Sequence, residues 1–394
     1  MPGETPETRI QRKPTKVEDA LLGTAINKVP GLVPGVLLAA AVVVGSIRLA
    51  DWANASWGFK GLISYIMVAI VVGILVRNTV GLHSVFVPGV NFCLKKLLRL
   101  GIILMGIRLS FLDVVKIGGF GIPIVLAAVL TGMVVTTYAT RLLKLPERLG
   151  TLIAIGTGIC GASAIVATAP GIKAKDEEIA YAVANITVFG IMAMLVYPYL
   201  GHLIFGGDIT LVGLFTGTSI HETAQVAGAG LIYDQTFQVA AKPSVADVAI
   251  VTKLVRNALM VVAIPAVTFY YARRISERGE AAASRVGILQ LVPLFIVGFL
   301  ALAVLRSIGD AGVNGGHTAL GIWNASAWST AIKETTKWSG YILATAMAGV
   351  GLGTSLKAMR GLGLKPFLVG IVAATSVGAV AILLVFLLGR LVTV

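Results

Sequence analysis

The chain has 394 residues, of which 57% are hydrophobic and only 13% are charged, and its mean hydropathy is +0.91. Soluble domains carry nearly twice that charged fraction, so the composition excludes a soluble globular protein and predicts a polytopic membrane protein. A formal net charge of +14 would favour nucleic-acid binding in a soluble protein, but here the Lys and Arg residues are expected to flank membrane spans on the cytoplasmic side. Two cysteines predict no disulfide framework.

Residues 1–30 are predicted to form a cytoplasmic tail, which begins with a polar, charged stretch and lacks the pattern of a cleaved signal peptide. The first half of this tail contains prolines and is expected to be disordered. Thr15 and Glu18 then form a Thr-x-x-Glu capping box, and the apolar residues that follow recur on one helical face. This pattern fits a short helix on the membrane surface or, equally, a plain linker.

Residues 31–394 are predicted to form one all-α transmembrane transporter domain with about eleven transmembrane helices. With the N-terminus in the cytoplasm, the predicted cytoplasmic segments hold 19 Lys and Arg, and the external segments hold 9. This bias favours a cytoplasmic N-terminus and an external C-terminus, although the link at 206–208 carries no positive charge. The apolar runs that could cross the membrane cover 31–50, 61–76, 97–112, 119–140, 149–170, 179–205, 209–231, 246–271, 286–305, 338–356 and 366–392.

An internal match between Gly106–Phe111 and Gly351–Leu356 predicts inverted repeats. Each stretch ends one span and leads through a short basic link into the next. In the eleven-span count the two stretches run in opposite directions, as inverted repeats require.

A second internal match joins 156–170 to 217–228, with Thr157 opposite Thr218 and Ile159 opposite Ile220. In the eleven-span count these two stretches run in the same direction. Either one of them is re-entrant, or the span count near residue 206 is wrong.

These two matched stretches are predicted to be glycine-interrupted helices. A continuous helix is disfavoured by Gly156, Gly158 and Gly161, because glycine has a low helix propensity. The first helix should therefore break at 156–158 and restart at about Cys160. A restarted helix presents unpaired N–H groups and a partial positive charge, which together bind an anion. Paired interruptions of this kind point to the binding site of a secondary transporter.

The alternative is that the glycines only allow close helix packing. If they instead let an anion approach the backbone, replacing Gly161 or Gly217 by Ala should weaken anion binding with little change in the melting temperature.

Lys253 and Arg256 lie three residues apart on one helical face, too deep in their span to reach the interface. Arg48 and Arg108, in contrast, lie near span ends and are expected to extend their charges to the interface. An ion pair between Glu222 and one of the two deep cations is the structural alternative. Even then a positive surplus remains, which suits an anionic substrate, and the sequence lacks the paired membrane aspartates on which Na⁺/H⁺ antiport would depend.

The predicted site comprises the two helix breaks and the charged residues Lys253, Arg256 and Glu222. His221 is either a plainly hydrogen-bonded histidine or, together with Glu222, the carrier of a coupling proton or a gate. The sequence contains no nucleotide-binding loop, zinc-ligand spacing or nucleophile elbow, so we expect no cofactor, no metal and no enzymatic activity. The predicted substrate-binding residues are Thr157, Gly158, Cys160, Gly161, Ser163, Thr218, Ser219, Gln225, Lys253 and Arg256.

Gly158–Ile165, followed by Ala169-Pro170 and an acidic link, resembles the signature of the YeiH family of bacterial inner-membrane proteins, to which sulfate export has been ascribed. The resemblance extends from about residue 31 to the end of the chain, although the family often has Asp where this chain has Glu222. It implies a transporter with inverted repeats and a small oxyanion substrate, such as sulfate or a sulfonate. The other segments that resemble the family are Leu97–Ile102, Ile220–Val226 and Lys253–Arg256.

We therefore predict a secondary transporter that moves a small anion across the cytoplasmic membrane by alternating access, in the direction of export. The alternatives are Na⁺- or H⁺-coupled uptake of an organic anion, a passive anion channel, and a membrane scaffold or sensor. The expected partners are the anion, the lipid bilayer and a coupling H⁺ or Na⁺, with a homodimer as the candidate assembly and no nucleic acid.

Overall fold

The computed structural model describes residues 14–15, 18–19, 22–57, 63–276, 293–356 and 363–392. Their regular structure is helical, apart from one isolated bridge between Ala319 and Trp323. One short helical turn, Cys93–Leu97, is π-helical. In chain order the helices are α1 (Val33–Trp57), α2 (Tyr65–Thr79), α3 (Val87–Phe92), α4 (Leu98–Met105), α5 (Phe111–Leu142), α6 (Glu147–Gly158), α7 (Ala162–Thr168), α8 (Asp176–Phe205), α9 (Ile209–Ser219), α10 (Thr223–Thr236), α11 (Val245–Ala258), α12 (Met260–Ser276), α13 (Leu294–Asn314), α14 (Ala325–Gly353) and α15 (Leu364–Leu388).

The protein is an all-α polytopic membrane protein, as its composition predicts. Each of the eleven predicted apolar runs contains helix. Six helical segments in the described ranges are long and apolar enough to cross a membrane by themselves. They are Ile26–Ser56, Phe111–Leu142, Asp176–Phe205, Val245–Tyr271, Leu294–Asn314 and Leu364–Leu391.

The predicted capping box in the N-terminal tail is formed. The backbone N–H of Thr15 donates to Glu18 Oε2 at 2.7 Å, and the backbone N–H of Glu18 donates to Thr15 Oγ1 at 3.2 Å. Residues 1–13, for which we predict disorder, lie outside the described residues.

Both glycine-interrupted segments are broken near the predicted places. The first ends at Gly158 and restarts at Ala162, two residues later than expected, and the second ends at Ser219 and restarts at Thr223. We call α6 and α7, with the 3-10 turn Ala169–Ile172 that extends α7, hairpin 1. We call α9 and α10 hairpin 2.

Hairpin 2 begins and ends at the same end of the bundle. The ring of His202, in the last turn of α8, stacks on Phe237 at 3.8 Å between centroids, and its Nδ1 lies 2.9 Å from the hydroxyl of Tyr233. His202 precedes the hairpin, whereas Tyr233 and Phe237 lie at the end of its second arm. Segment 209–236 would span about 40 Å as one continuous helix, so these contacts require the chain to fold back.

Hairpin 1 also folds back, at the opposite end of the bundle. Arg148 Nε, at the start of α6, donates to the hydroxyl of Tyr271 in α12 at 3.4 Å. The same α12 contacts the 3-10 turn that ends hairpin 1. Leu149 and Ile172, from the two ends of this hairpin, belong to one hydrophobic cluster that also contains Tyr271.

The two hairpins resolve the conflict over direction that the sequence left open. Helix α8, 30 residues long, runs between them, so they enter the bundle from opposite ends. Both stretches are therefore re-entrant, and their opposed directions are those of inverted repeats. We call the two ends of the bundle the Asp176 end, where α8 begins and hairpin 1 enters, and the Asp208 end, where hairpin 2 enters.

The two copies of the other internal match, Gly106–Phe111 and Gly351–Leu356, also lie at opposite ends of the bundle. Arg108, in the first copy, pairs with Asp247 at the start of α11, with 3.1 Å between Nε and Oδ1, and so lies at the Asp208 end. Arg108 thus lies near an end of the bundle, as expected, but its guanidinium pairs with Asp247 instead of standing alone. Thr354, in the second copy, accepts a hydrogen bond from Asn78 Nδ2 at 3.0 Å through its backbone oxygen. Asn78 is near the end of α2, which begins beside hairpin 2 where the Ser64 hydroxyl donates to Gln235, so Thr354 lies at the Asp176 end.

Helix α11 packs between the two arms of hairpin 2. A Cβ on Gly213 would lie 2.5 Å from Val248 Cβ, and one on Gly230 would lie 2.5 Å from Ala246 Cα. A capping box between Ser244 and Asp247 starts α11 at the Asp208 end. From there the helix runs alongside α9 to the breaks.

Candidate functional site

The tips of the two hairpins meet near the middle of the bundle. A Cβ on Gly161, in the tip of hairpin 1, would lie 3.3 Å from the Cβ of Glu222 in the tip of hairpin 2 and 3.2 Å from Ile186 Cγ2 of α8. At helical rise Ile186 lies about 15 Å along α8, which is half the thickness of a bilayer core. We call this meeting point, residues 157–161 and 218–225, the junction.

Lys253, on α11, enters the junction and is 0% exposed. Its ammonium donates to three backbone carbonyls, at 3.0 Å to Ile159 O, 3.0 Å to Ile220 O and 2.6 Å to His221 O. The first oxygen belongs to hairpin 1 and the other two to hairpin 2. One side chain therefore binds both tips.

Arg256, also 0% exposed, binds the same two tips one turn further along α11. Its Nε donates to Gly158 O at 2.9 Å, and its Nη2 donates to Thr157 O. On the other hairpin, Nη1 donates to Thr218 O at 2.6 Å and to Ile220 O at 3.1 Å.

These contacts confirm the register of the internal match. Thr157 and Thr218, matched in the sequence, share Arg256, whereas Ile159 and Ile220 share Lys253. The carbonyls at the end of a helix have no partner within the helix and carry a partial negative charge, so the two cations cap the ends of α6 and α9. All these hydrogen bonds go to the backbone, so the ion pair with Glu222 that the sequence allowed is not formed.

The second arms begin without side-chain caps. Neither Gly161, before α7, nor Glu222, before α10, caps its helix with a side-chain hydrogen bond. Thr223, Ala224 and Gln225, in the first turn of α10, are buried, so their N–H groups face the interior as donors.

The structure corrects the expectation for the glycine substitutions. Gly161 has φ of +60° and ψ of −130°, a conformation that essentially only glycine adopts. A Cβ on Gly217 would lie 2.5 Å from the carbonyl oxygen of Ala249 in α11. Backbone conformation at Gly161 and close helix packing at Gly217 therefore both require glycine, and replacing either residue by Ala costs stability.

Five buried polar side chains around the junction carry an atom without a hydrogen-bond partner. Buried polar groups are normally paired, so their concentration at one place marks it as suited to a polar ligand. Each of the five is at most 3% exposed. The atoms are Thr157 Oγ1, Thr218 Oγ1, His221 Nδ1, Gln225 Oε1 and Asn257 Oδ1.

The side chains of two residues predicted for the site do not belong to this set of unpartnered polar groups. The Ser219 hydroxyl donates to Phe215 O at 2.6 Å within its own helix. Ser163 is exposed on the same face of α7 as Val166, although it follows the tip of hairpin 1 by only two residues. The direction in which α7 leaves the tip decides the position of Ser163, and residue spacing does not specify that direction.

Two further residues of the site were missed by the sequence analysis. The Thr223 hydroxyl accepts from Asn257 Nδ2 at 2.9 Å and lies 3.6 Å from Cys160 Sγ, so it links hairpin 2 to α11 and to hairpin 1. An amide directly after Arg256 in an apolar span was the available signal for Asn257. No group of three His, Cys, Asp or Glu that could hold a metal occurs among the described residues.

A cavity of about 520 Å³ flanks hairpin 1 and ends at Ile155, two residues before Thr157. Its walls are α5, α6 and α12, and it extends from Arg141 and Glu147, at the Asp176 end, towards Ile155. Other residues that line it are Met133, Thr137, Thr140, Leu145, Gly150, Thr151, Ala154, Ala266, Val267, Tyr270 and Tyr271.

Comparison with known proteins identifies relatives over most of the chain. The model of the family described as conserved hypothetical protein 698 matches residues 34–370. A UPF0324 membrane protein of Bacillus cereus is 32% identical over 343 residues, which cover 84% of this chain and 89% of that protein. One of Pseudomonas aeruginosa is 33% identical over 352 residues, covering 87% and 90%. The chain therefore belongs to this family of UPF0324 membrane proteins, the YeiH-like family that its sequence resembles.

Proposed function

We propose that the protein is a secondary transporter that moves a small oxyanion, of the sulfate or sulfonate class, across the cytoplasmic membrane by alternating access. One observation carries this proposal: two re-entrant hairpins enter from opposite ends and meet near mid-depth around two buried cations. Interrupted helices that meet at the bilayer midplane are the sites at which secondary transporters bind substrates.

The charges at the junction favour an anion. Two helix ends with a partial charge of about −0.5 and two helix starts with about +0.5 cancel each other. Lys253 and Arg256 then stand against Glu222 alone, so about one positive charge remains even when this carboxylate is ionised. An anion would neutralise that surplus in a region where unbalanced charge is costly.

The donors available at the junction suit an oxyanion. We propose that the N–H groups at the start of α10 bind its oxygens, together with the hydroxyls of Thr157 and Thr218. The amides of Gln225 and Asn257 already donate to Thr187 O and to the Thr223 hydroxyl, so each would contribute only its second N–H. Gly161 would let the ligand approach the backbone of hairpin 1. Lys253 and Arg256 would act through their charge, since their hydrogen bonds already go to carbonyls.

His221 and Glu222 are the residues that we propose for coupling or gating. Glu222 precedes α10 at the point where the tips meet, so an ionised carboxylate there would compete with the bound anion for the same positive surplus. Protonation of Glu222 would remove that competition, which would link anion binding to the uptake of a proton.

The distribution of positive residues supports a cytoplasmic N-terminus in the bacterial inner membrane. Because hairpin 1 is re-entrant, Lys173 and Lys175 belong to the cytoplasmic segments. The count of Lys and Arg then changes from 19 cytoplasmic and 9 external to 21 cytoplasmic and 7 external. Link 206–208, which carries no positive charge, moves to the external side. Hairpin 1 and its cavity would then open to the cytoplasm.

The test is thermal stabilisation of the purified protein by sulfate, sulfite, sulfonates and dicarboxylates, followed by counterflow in proteoliposomes. We expect an oxyanion to raise the melting temperature and to drive uptake of its labelled form against an internal unlabelled pool. A passive channel would conduct without counterflow. Folded protein that neither binds nor exchanges any of these anions would contradict the proposal and favour a scaffold or sensor.

A further inference from the structure

We infer that the Lys253 ammonium is a tethered cation that fills a carbonyl cage between the two hairpins, so that this cage needs no sodium or potassium ion. The inference deepens the proposed function, because it assigns coupling to a proton and not to an alkali cation at the junction. Only the assignment of proton coupling rests on the proposed transport function; the occupation of the cage by Lys253 does not.

The ligands of the cage are of the type that holds a monovalent cation. Ile159 O, Ile220 O and His221 O surround one nitrogen at 2.6 to 3.0 Å. Unwound backbone carbonyls and the C-terminal ends of half-helices are the groups that coordinate Na⁺ in transporters with interrupted helices. A lysine ammonium has three N–H donors, and here each carbonyl receives one of them.

The ammonium is held in place by its own helix. Lys253 is 0% exposed, and α11 is fixed by its close packing between the arms of hairpin 2. Its charge compensates the partial negative charge at the ends of both α6 and α9. An alkali ion could enter the cage only by displacing this side chain into an apolar interior, which is strongly unfavourable.

Because the cage is occupied by the chain itself, it cannot load and release a sodium ion during transport. Apart from Lys253 itself, Glu222, which makes no hydrogen bond to the cage, and its neighbour His221 are then titratable groups at the junction that could carry a coupling ion. That ion would be a proton.

The experiment measures the melting temperature of purified protein at constant chloride and ionic strength, without any oxyanion. Lys253→Ala removes the ammonium and opens the cage, so we expect a fall on the order of 5 °C or more. Potassium or methylammonium should restore at least half of that loss, whereas choline, which is too large and has no N–H donor, should not. Lys365→Ala, which changes an exposed lysine of α15, is the control and should respond to none of these ions.

A second variant and the unmodified protein keep the inference testable if Lys253→Ala does not fold. Lys253→Met keeps most of the stem, so potassium should stabilise it and methylammonium, which needs the stem's space, should not. The unmodified protein should melt within about 1 °C in sodium, potassium and choline salts. Saturable stabilisation of the unmodified protein by sodium, or the absence of rescue in both variants, would overturn the inference. Neither result bears on whether an oxyanion binds.

Discussion

Hairpin 1 and hairpin 2 share a sequence pattern and a set of cation contacts, yet their surroundings differ. In hairpin 2 every residue from Leu211 to Leu231 is buried except Glu222, and α11 fills the space between the arms. Hairpin 1 has a 520 Å³ cavity along α6 and an exposed face on α7. Matched local sequences therefore give matched tips, whereas the packing of the arms is set by neighbouring helices. We expect hairpin 2 to be a fixed part of the bundle and hairpin 1 to be the arm with room to move.

The largest effect should come from Arg256, which both hairpins share. Arg256→Ala leaves the carbonyls of Thr157, Gly158 and Thr218 without their partner, so we expect a loss of about 3–5 kcal/mol in unfolding free energy. Anion-dependent stabilisation should disappear as well. The measurement is chemical denaturation in detergent, with and without sulfate.

Arg256→Lys is the matched variant, since it keeps the charge but cannot reach all the carbonyls with one ammonium. It should retain part of the anion response and lose stability. A fully stable Arg256→Ala protein would show that the guanidinium does not hold the tips together.

The matched glycines Gly156 and Gly217 test the difference in packing directly. A Cβ on Gly217 meets backbone of α11 at 2.5 Å, so Gly217→Ala should cost about 2–3 kcal/mol by overpacking. A Cβ on Gly156 meets the side chains of Ile165 and Ile186 at 2.8 and 3.1 Å, which can shift, so Gly156→Ala should cost about 1 kcal/mol. Equal losses of melting temperature in the two variants would remove the distinction between the hairpins.

The threonines Thr157 and Thr218 test whether the two tips contribute equally to the ligand. Thr157→Val and Thr218→Val should each weaken anion binding about tenfold, or 1.4 kcal/mol, because each removes one unpaired hydroxyl at nearly constant volume. Titration calorimetry with sulfate measures the change.

Thr216→Val is the control for these substitutions, because the Thr216 hydroxyl already bonds to Val212 O within α9. It should bind the anion normally. An effect at only one of the two tip threonines would assign the ligand to a single hairpin.

The smallest effect is expected from Thr151, which lines the cavity beside hairpin 1. Thr151→Cys should leave stability and transport nearly unchanged, since the hydroxyl of Thr151 bonds only to Glu147 O of its own helix. It should nevertheless react with a charged, membrane-impermeant thiol reagent added from the side at which hairpin 1 enters, which is the proposed cytoplasmic side.

Thr216→Cys, in the first arm of hairpin 2, should stay unreactive because Thr216 is 0% exposed. Reaction of Thr151→Cys only with lipophilic reagents would show that lipid, not water, fills the cavity. Equal reactivity of the two positions would contradict the proposed difference between the hairpins.

The sequence predicted the breaks and their register because both depend on local chemistry. Glycines that weaken a helix and a repeated Gly-Thr pair lie within a few residues of each break. The fold-back did not follow from the sequence, because an apolar run of 22 residues suits either one crossing helix or two short arms. Which of these forms depends on contacts such as His202 with Tyr233, far apart in the chain. The depth of Lys253 and Arg256 was likewise predictable, but their carbonyl partners depend on how the tips meet.

The position of Lys253 and Arg256 along the chain has a consequence for biogenesis. Both hairpins are synthesised before α11. The carbonyl groups at their tips therefore have no hydrogen-bond partner until residues 253 and 256 have been synthesised and inserted. Backbone groups without partners are poorly tolerated in lipid. The nascent chain should therefore remain open to proteolysis until α11 is inserted, and that one helix would complete the assembly of two hairpins at once.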